Sequence, residues 1–494
     1  MTHFSDELEG DEIYFRDRWQ FEQKYDFLPD PSVKTNDYTQ EFYFYIPNAL
    51  QINSDTYTTK QFYRDQTNLI RYKTPMFTLK ELADPSFAPS PIAKIYSHKE
   101  ITEENQELVQ EEIKLLGNVF RSAIRKKGQE LSQIIGLEKY DEFVNQANEF
   151  CDDVQNFLEF FEKIKTEMNH LWGSPSIEEH FSYLTFFVNH SLDQYMIQLL
   201  ERVRTHSTKK LKSIDKRLSE LLLRTQAEIP IEPSQTEEQG EKVVYTKGLL
   251  DKFFLNALLL KIDRFSPRQR YKNVIGAVAA GIAMLFFTVL WVWQGQFFIM
   301  NSEPFIIITV LLYILKDRIK EWIKSMTHHR HLGWFSDYTT KIWSPDDKHV
   351  LGVLKEKFSF IEEDEVPHEI DAIRNLEFHS VVESFKRPEC ILYYQKKMRI
   401  HRKPTELETR RFMLNIIFRF NIRHFMDKAS NPYSPYRMLE EETQDLKMRE
   451  LPKVYHLNII VKTTIEKGNQ PKKIEITKVR IVADKNGIKR VEYP

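Results

Sequence analysis

VIGAVAAGIAMLFFTVLWV, residues 274 to 292, is a run of nineteen positions without a charge, and where the chain puts it decides the architecture. At about 1.5 Å of rise per residue such a run approaches the roughly 30 Å hydrocarbon core of a bilayer, so it reads as a transmembrane helix. A second apolar run, Pro304 to Leu315, has only twelve residues, a length that also suits a re-entrant or buried helix. Charge arbitrates. Lys261, Arg264, Arg268, Arg270 and Lys272 precede the first run, while Lys316, Arg318, Lys320 and Lys324 follow the second; no Lys or Arg lies from 273 to 315. Basic flanks on both sides follow the positive-inside pattern, so the chain is expected to leave the cytosol and return.

The returning helix gains length if Pro304 is its first residue, Ser302 or Asn301 its cap, and Trp322 its end. Trp291 and Trp293 suit the outer interface, Tyr271 and Trp322 the inner one. Gly276 with Ala280, and Ala277 with Gly281, are small-xxx-small pairs that allow close helix approach, either within the hairpin or between copies. The apolar cores hold no ionisable residue and Glu303 falls in the turn, which removes the usual mark of an ion or proton pathway.

Away from this segment the 494 residues carry 29% charged side chains with a net charge of -2. The molecule as a whole therefore seeks neither polyanions nor polycations, and electrostatic preference is local. Cys151 and Cys390 stand far apart with no CxxC, which argues against a disulfide framework or a thiolate zinc site. The start, MTHFSDELEGDEIYFRDRW, has no basic n-region and no apolar h-region, so no secretory signal is expected. Both termini are expected in the cytosol, and the membrane is expected to be a bacterial inner membrane.

Residues 1 to 95 read as an α/β segment. EFYFYIP (41–47) alternates like a strand and ends at Pro47; Thr58 with Gln61 forms a capping box; NLIRYK (68–73) suggests another strand. From 96 to 225 we expect a helical bundle, with Ser97 and Glu100 opening its first helix and Gly136 interrupting it. Phe143, Ala147, Phe150, Val154, Phe157, Phe161, Ile164, Met168 and Leu171 are spaced alternately four and three, a heptad-like seam. WGSPS (172–176) turns the chain, and Ser176 with Glu179 opens the next helix, giving an antiparallel helical hairpin. An intermolecular coiled coil, hence a homo-oligomer or a protein partner held through the bundle, is the alternative. Residues 226 to 245, acidic and rich in Pro over QAEIPIEPSQTEEQGEK, read as a flexible linker. Residues 246 to 272 read as a juxtamembrane amphipathic helix lying on the leaflet. The two-helix transmembrane hairpin follows at 273 to 323.

Residues 324 to 494 read as a C-terminal α+β domain. HHRH (328–331) invites a metal, but adjacent imidazoles seldom converge on one ion, and a basic juxtamembrane surface explains it better. From Lys386 to Lys428 twelve Lys and Arg face four Asp and Glu, interleaved with aromatics. We expect Lys396, Lys397, Arg399, Arg402, Lys403, Arg410 and Arg411 to contact anionic lipid headgroups or phosphate, with nucleic acid ranked below. RRFMLNIIFRFNIRHFM (410–426) reads as a helix carrying Met413, Ile416, Ile417 and Phe420 on one face. Beyond it, alternation from Tyr455 to Ile465, the GNQP turn (468–471), IEITKVRIV (474–482) and Asn486-Gly487 predict a three-stranded antiparallel meander, which the strand at 41–47 is free to join.

The fold class is therefore α+β, mainly helical, with a transmembrane hairpin between cytosolic parts. The P-loop, HExxH, GxSxG and GxGxxG patterns do not occur; no catalytic, cofactor or metal residue is assigned, and His379, Glu383, His401 and His424 are the remaining polar candidates. The leading expectation is a membrane-anchored scaffold or regulatory protein. The alternatives are an enzyme or sensor acting on anionic headgroups or phosphorylated compounds, and an oligomeric pore.

Overall fold

The computed structural model describes residues 13–30, 32–98, 100–206, 208–227, 237–300, 302–330, 336–343, 350–376, 389–401, 413–439, 445–468 and 470–493. The chain opens with β1 (Ile13–Phe15), β2 (Gln20–Phe27), β3 (Thr35–Pro47), α1 (Thr59–Asp65) and β4 (Gln66–Tyr72). Helices follow: α2 (Leu79–Leu82), α3 (Pro91–Ser97), α4 (Glu103–Gly136), α5 (Tyr140–Trp172), α6 (Pro175–His206), α7 (Lys212–Ala227) and α8 (Glu237–Leu255). Next come β5 (Ile262–Phe265) and the long helices α9 (Pro267–Gln294) and α10 (Glu303–Arg330). The remainder is β6 (Tyr338–Trp343), β7 (Val350–Ile361), α11 (His368–Asn375), β8 (Glu389–His401), β9 (Leu414–Asn421), α12 (Arg423–Met426), β10 (Tyr433–Leu439), β11 (Leu446–Pro452), β12 (Tyr455–Lys467), β13 (Lys473–Asp484) and β14 (Gly487–Glu492). With 52% helix and 29% strand the class is mixed, more helix than strand.

Two compact units emerge: Met1–Ile70 with Leu260–Thr405 and Asn415–Pro494, and Arg71–Leu259 with Glu406–Leu414. The first is built on an eight-stranded sheet ordered β14-β13-β12-β3-β8-β7-β6-β5 and a four-stranded sheet ordered β1-β2-β9-β4. The C-terminal meander β12-β13-β14 is antiparallel throughout. β3 is inserted beside it, antiparallel to both β12 and β8, so Ile459 lies opposite Phe44, and Phe44 opposite Leu392. Alternation sends Phe42, Phe44, Leu392, Tyr394, Leu457, Ile459, Val461 and Ile481 to one face, where they meet Phe21, Phe418 and Phe420 of the smaller sheet. Phe42 and Phe418 are 4.6 Å apart between ring centres. The opposite face carries Tyr43, Tyr45, Ile391 and Ile460 under Ile370 of α11.

Of the stretch expected to be a helix at 410–426, residues 410–412 lie outside the described residues and the rest is instead strand β9 followed by the single turn α12. Leu414, Asn415, Ile416, Ile417 and Phe418 are all buried. Leu414, Ile416, Phe418 and Phe420 alternate as a strand, but with Ile417 also apolar, Ile416, Ile417 and Phe420 have the spacing of a helix face as well, so the short run satisfies both periods. The expected leaflet helix at 246–272 also differs: α8 ends at Leu255, and Ile262–Phe265 pairs with β6 as the edge strand of the large sheet. Of the expected linker, 228–236 lies outside the described residues and α8 already begins at Glu237. β10 and β11 form a separate two-stranded ribbon whose residues are all exposed.

The second unit is a helical bundle. The seam from Phe143 to Met168 is buried within the chain, while Leu171 is exposed. Phe157 stacks on Phe120 of α4 at 4.5 Å. Ser97 ends α3 rather than opening a helix; Thr102 and Asn105 make the capping box of α4. Gly117 is where α4 admits Phe254, because a β-carbon there would stand 2.7 Å from that ring.

α9 and α10 form an antiparallel pair in the first unit. Gln294 donates to the Phe305 carbonyl (3.2 Å) and to Thr309 Oγ1 (2.7 Å), and the rings of Phe287 and Tyr313 meet at 6.4 Å. Among the described residues one segment, Asn273–Gln294, is long and apolar enough to cross a bilayer. α10 falls short because Lys316, Asp317 and Arg318 follow its apolar run directly, so the expected pair of spans is not supported: one helix qualifies where two were expected.

Candidate functional site

β7 alternates inward Leu354, Glu356 and Phe358 with outward Lys355 and Lys357, so its periodicity carries a carboxylate into the core. Glu356 is fully engaged there. Its Oε1 accepts from Tyr394 (2.7 Å), Asn68 (2.8 Å) and Gln66 (2.9 Å), and its Oε2 lies 3.1 Å from Arg264. A second buried carboxylate, Asp337, precedes β6. It accepts from Arg268 (2.8 Å) on one oxygen, and from the Phe358 amide (2.8 Å) and the Tyr63 hydroxyl (3.2 Å) on the other.

Both arginines come from the root of the hairpin, Arg264 in β5 and Arg268 in the first turn of α9. The Arg264 guanidinium also covers the Tyr338 ring at 4.1 Å and the Tyr63 ring at 5.2 Å. Burial, with Asp337 beside it, pushes the Tyr63 phenol far above its ordinary value. Burial and then Glu356 do the same to Tyr394. Both phenols stay protonated and can only donate to the carboxylates. Every oxygen of the pair is thus spoken for by groups of the fold, and the chemistry available is attachment: a charge-assisted junction between the hairpin root and the sheet interior.

Other polar groups lie apart from this junction. Asp65 accepts from Tyr57 (2.7 Å) and pairs with His424 Nδ1 (2.8 Å). A cavity of about 350 Å³ at the ends of β3, β7 and β8 is lined by Tyr45, Phe360, Glu362, Asp371, Glu389 and Cys390 among others. The Arg374 guanidinium there meets Glu389 at 2.6 Å. Burial pushes the thiols of Cys151 and Cys390 up to about 11, so at neutral pH both are protonated. Among the described residues no group of three or more His, Cys, Asp and Glu is placed to hold a metal ion.

Of the cations expected to contact headgroups, the three described, Lys396, Lys397 and Arg399, do not share one face of β8. Lys396 is buried, its ammonium 5.4 Å from the centres of both the Phe42 and Phe418 rings. Lys397 and Arg399 lie on the exposed side of β8, where Arg399 makes a bidentate pair with Asp37 (2.7 and 3.1 Å). Arg402, Lys403, Arg410 and Arg411 lie outside the described residues, as do His379, Glu383 and His331 of the HHRH run; His401 is exposed. In α9 the small residues buried at the hairpin interface are Ala279 and Ala283. Gly276 and Ala280 are half-buried, and Ala277 and Gly281 face outward.

Sequence reading placed Arg264 and Arg268 among the headgroups and passed over Glu356 and Asp337. The one available signal was the phase of VLKEKF, which puts Glu356 between two inward apolar positions. No protein-family model, no curated protein and no solved structure matches this chain.

Proposed function

We propose that this is a membrane-anchored scaffold or interaction protein whose soluble parts are held at the cytosolic face of the membrane, a bacterial inner membrane, by the α9–α10 hairpin. The observation that carries the reading is closure of one sheet across that hairpin. β3 and β5 precede α9, β6 to β8 and β12 follow α10, and all belong to one sheet. A chain whose strands on both sides of an apolar hairpin pair with each other has to re-emerge on the side it left. The two-span hairpin meets that condition, and so does any hairpin that enters and returns. Arg264 and Arg268, pinned inside the sheet, support a rigid connection between anchor and platform.

Saturation of the buried carboxylates by structural partners favours an attachment role over catalysis. Lys397 and Arg399, exposed on β8, support contact with an anionic leaflet more readily than buried Lys396 does. The outward pair Ala277 and Gly281 offers a close-packing face to a second copy.

The test is membrane fractionation with alkaline extraction, together with protease accessibility of tags at both ends of the full chain in oriented vesicles. The reading expects the protein to resist extraction and both tags to be cleaved only from the cytosolic side. Tags cleaved from opposite sides, or release at alkaline pH, would overturn it.

A further inference from the structure

The register between α9 and α10 fixes what each residue has beside it. Gln294 reaches Phe305 and Thr309, and the Phe287 ring lies by Tyr313 and 6.0 Å from the Lys316 ammonium. Continuing that antiparallel register at about 1.5 Å per residue brings Asp317, Arg318, Lys320 and Glu321 alongside the middle of Asn273–Gln294. Asp317, Arg318 and Glu321 are exposed there and Lys320 is half-exposed. The band in which both helices are apolar is shorter, Leu285–Gln294 against Phe305–Leu315. It amounts to about 15 Å, half the hydrocarbon core of roughly 30 Å. Beyond it the turn is apolar and outward-facing: Phe297 is 65%, Ile299 85% and Met300 63% exposed.

We infer that the hairpin enters the bilayer from the cytosolic side and stops within it, with the turn at 295–300 as its deepest point, so that its lipid partner is essentially one leaflet. This rests on the proposal that the hairpin is the anchor. A charged side chain at the centre of a bilayer lowers insertion by about a hundredfold. Crossing puts those four charged residues and Lys316, which lies 3.7 Å from Asp317, near the centre, and although Lys316, Arg318 and Lys320 are long enough to snorkel, Asp317 and Glu321 are not. Stopping short takes in Glu303 instead, which stands in the first turn of α10, where the helix N-terminus favours a carboxylate. Val274, Val278, Ile282 and Met284 are then left at headgroup level, at no more than about tenfold each for side chains that are half-exposed already. Five central charges against one, with four shallow apolar side chains, decide for the shallow hairpin.

Depth measurements test this directly. Leu285→Cys and Ile299→Cys, both at exposed positions, are labelled with an environment-sensitive fluorophore in a Cys390→Ser background, Cys151 being wholly buried. The full chain is reconstituted in phosphatidylcholine–phosphatidylglycerol vesicles carrying spin labels either at the headgroup or near the acyl-chain end. The expected result is strongest quenching of the 299 label by acyl-end spins and of the 285 label by headgroup spins. The reverse ranking, with 285 deepest and 299 at an interface, overturns the inference while the anchor stands. Absence of quenching at both positions overturns the anchor itself.

Discussion

Arg268 at the start of α9 donates to Asp337 at 2.8 Å, and the 69 positions that separate them in sequence contain the whole α9–α10 hairpin. One ion pair therefore closes the base of the hairpin, and its acid is the more deeply buried member: the Asp337 side chain is 5% exposed, that of Arg268 35%. Removing the acid also strands the Phe358 amide and the Tyr63 hydroxyl that donate to it.

Asp337→Ala is accordingly expected to destabilise the sheet unit by about 3 kcal/mol, the scale for breaking a buried, hydrogen-bonded charge site. Arg268→Ala, whose place water can partly take, should cost about 1 kcal/mol. Thermal unfolding of the detergent-purified chain measures both. If the two variants were equally mild, the junction would not hold the hairpin root.

In the bundle, Phe157 is wholly buried and stacked on Phe120, with Phe161 parallel to it at 6.1 Å. Phe157→Ala should cost about 3–5 kcal/mol through lost burial and the cavity left behind. Leu171→Ala, at the exposed end of the same seam, should stay within about 0.5 kcal/mol. Chemical denaturation followed by helical circular dichroism separates the two. A large loss at Leu171 would mean that this end is covered by something beyond the described residues.

These two positions also mark how far sequence carried the reading. A helix with one buried stripe announces itself by period, which is why Phe143 to Met168 was legible; Leu171 continues the period, but it is exposed among the described residues. The meander was legible from strict alternation and from Asn486-Gly487. β9 was not, because Ile416, Ile417 and Phe420 also fit a helical face, although Leu414, Ile416, Phe418 and Phe420 alternate as a strand. The junction was harder still. Arg264 and Arg268 obey the flank rule for membrane helices, and only the pairing of β5 with β6 turns them toward Glu356 and Asp337. Lys396 shows the same limit: a basic cluster counted along the chain was split by alternation, with Lys397 and Arg399 outside and Lys396 between aromatic rings.

Gly487 turns the last hairpin at φ +124°, a conformation side chains rarely adopt, and a β-carbon there would stand 2.3 Å from the Arg18 carbonyl oxygen. That carbonyl accepts the Ile488 amide at 2.8 Å, so the turn cannot simply move away. Gly487→Ala is expected to cost about 1–3 kcal/mol from backbone strain, and more if the Ile488 hydrogen bond breaks. Amide exchange at Ile488 reads out that bond. Unchanged protection with unchanged stability would show that the turn relaxes freely.

Glu22 gives the sheet unit a pH dependence. Its side chain is 5% exposed in β2, where Arg419 of β9 pairs with it, Tyr14 donates to it at 2.9 Å, and Lys24 lies 3.5 Å away. Burial is the largest influence and pushes its pKa up, but Arg419, Lys24 and Tyr14 together outweigh it and hold the folded value below the ordinary 4.5. A depressed folded pKa means that the unfolded chain binds the proton more readily. The stabilisation is therefore complete above the unfolded value and is lost as pH falls through the folded one. Glu22→Gln should be less stable than the parent at pH 7, with the gap closing as pH drops below about 4.5. Arg419→Met should lower stability at pH 7 by about 3 kcal/mol by leaving the carboxylate buried without its main partner, and its loss should shrink in acid as Glu22 takes up a proton. Denaturation midpoints from pH 7 down to pH 3 follow both, and a gap that stayed constant across that range would remove Glu22 as the titrating group.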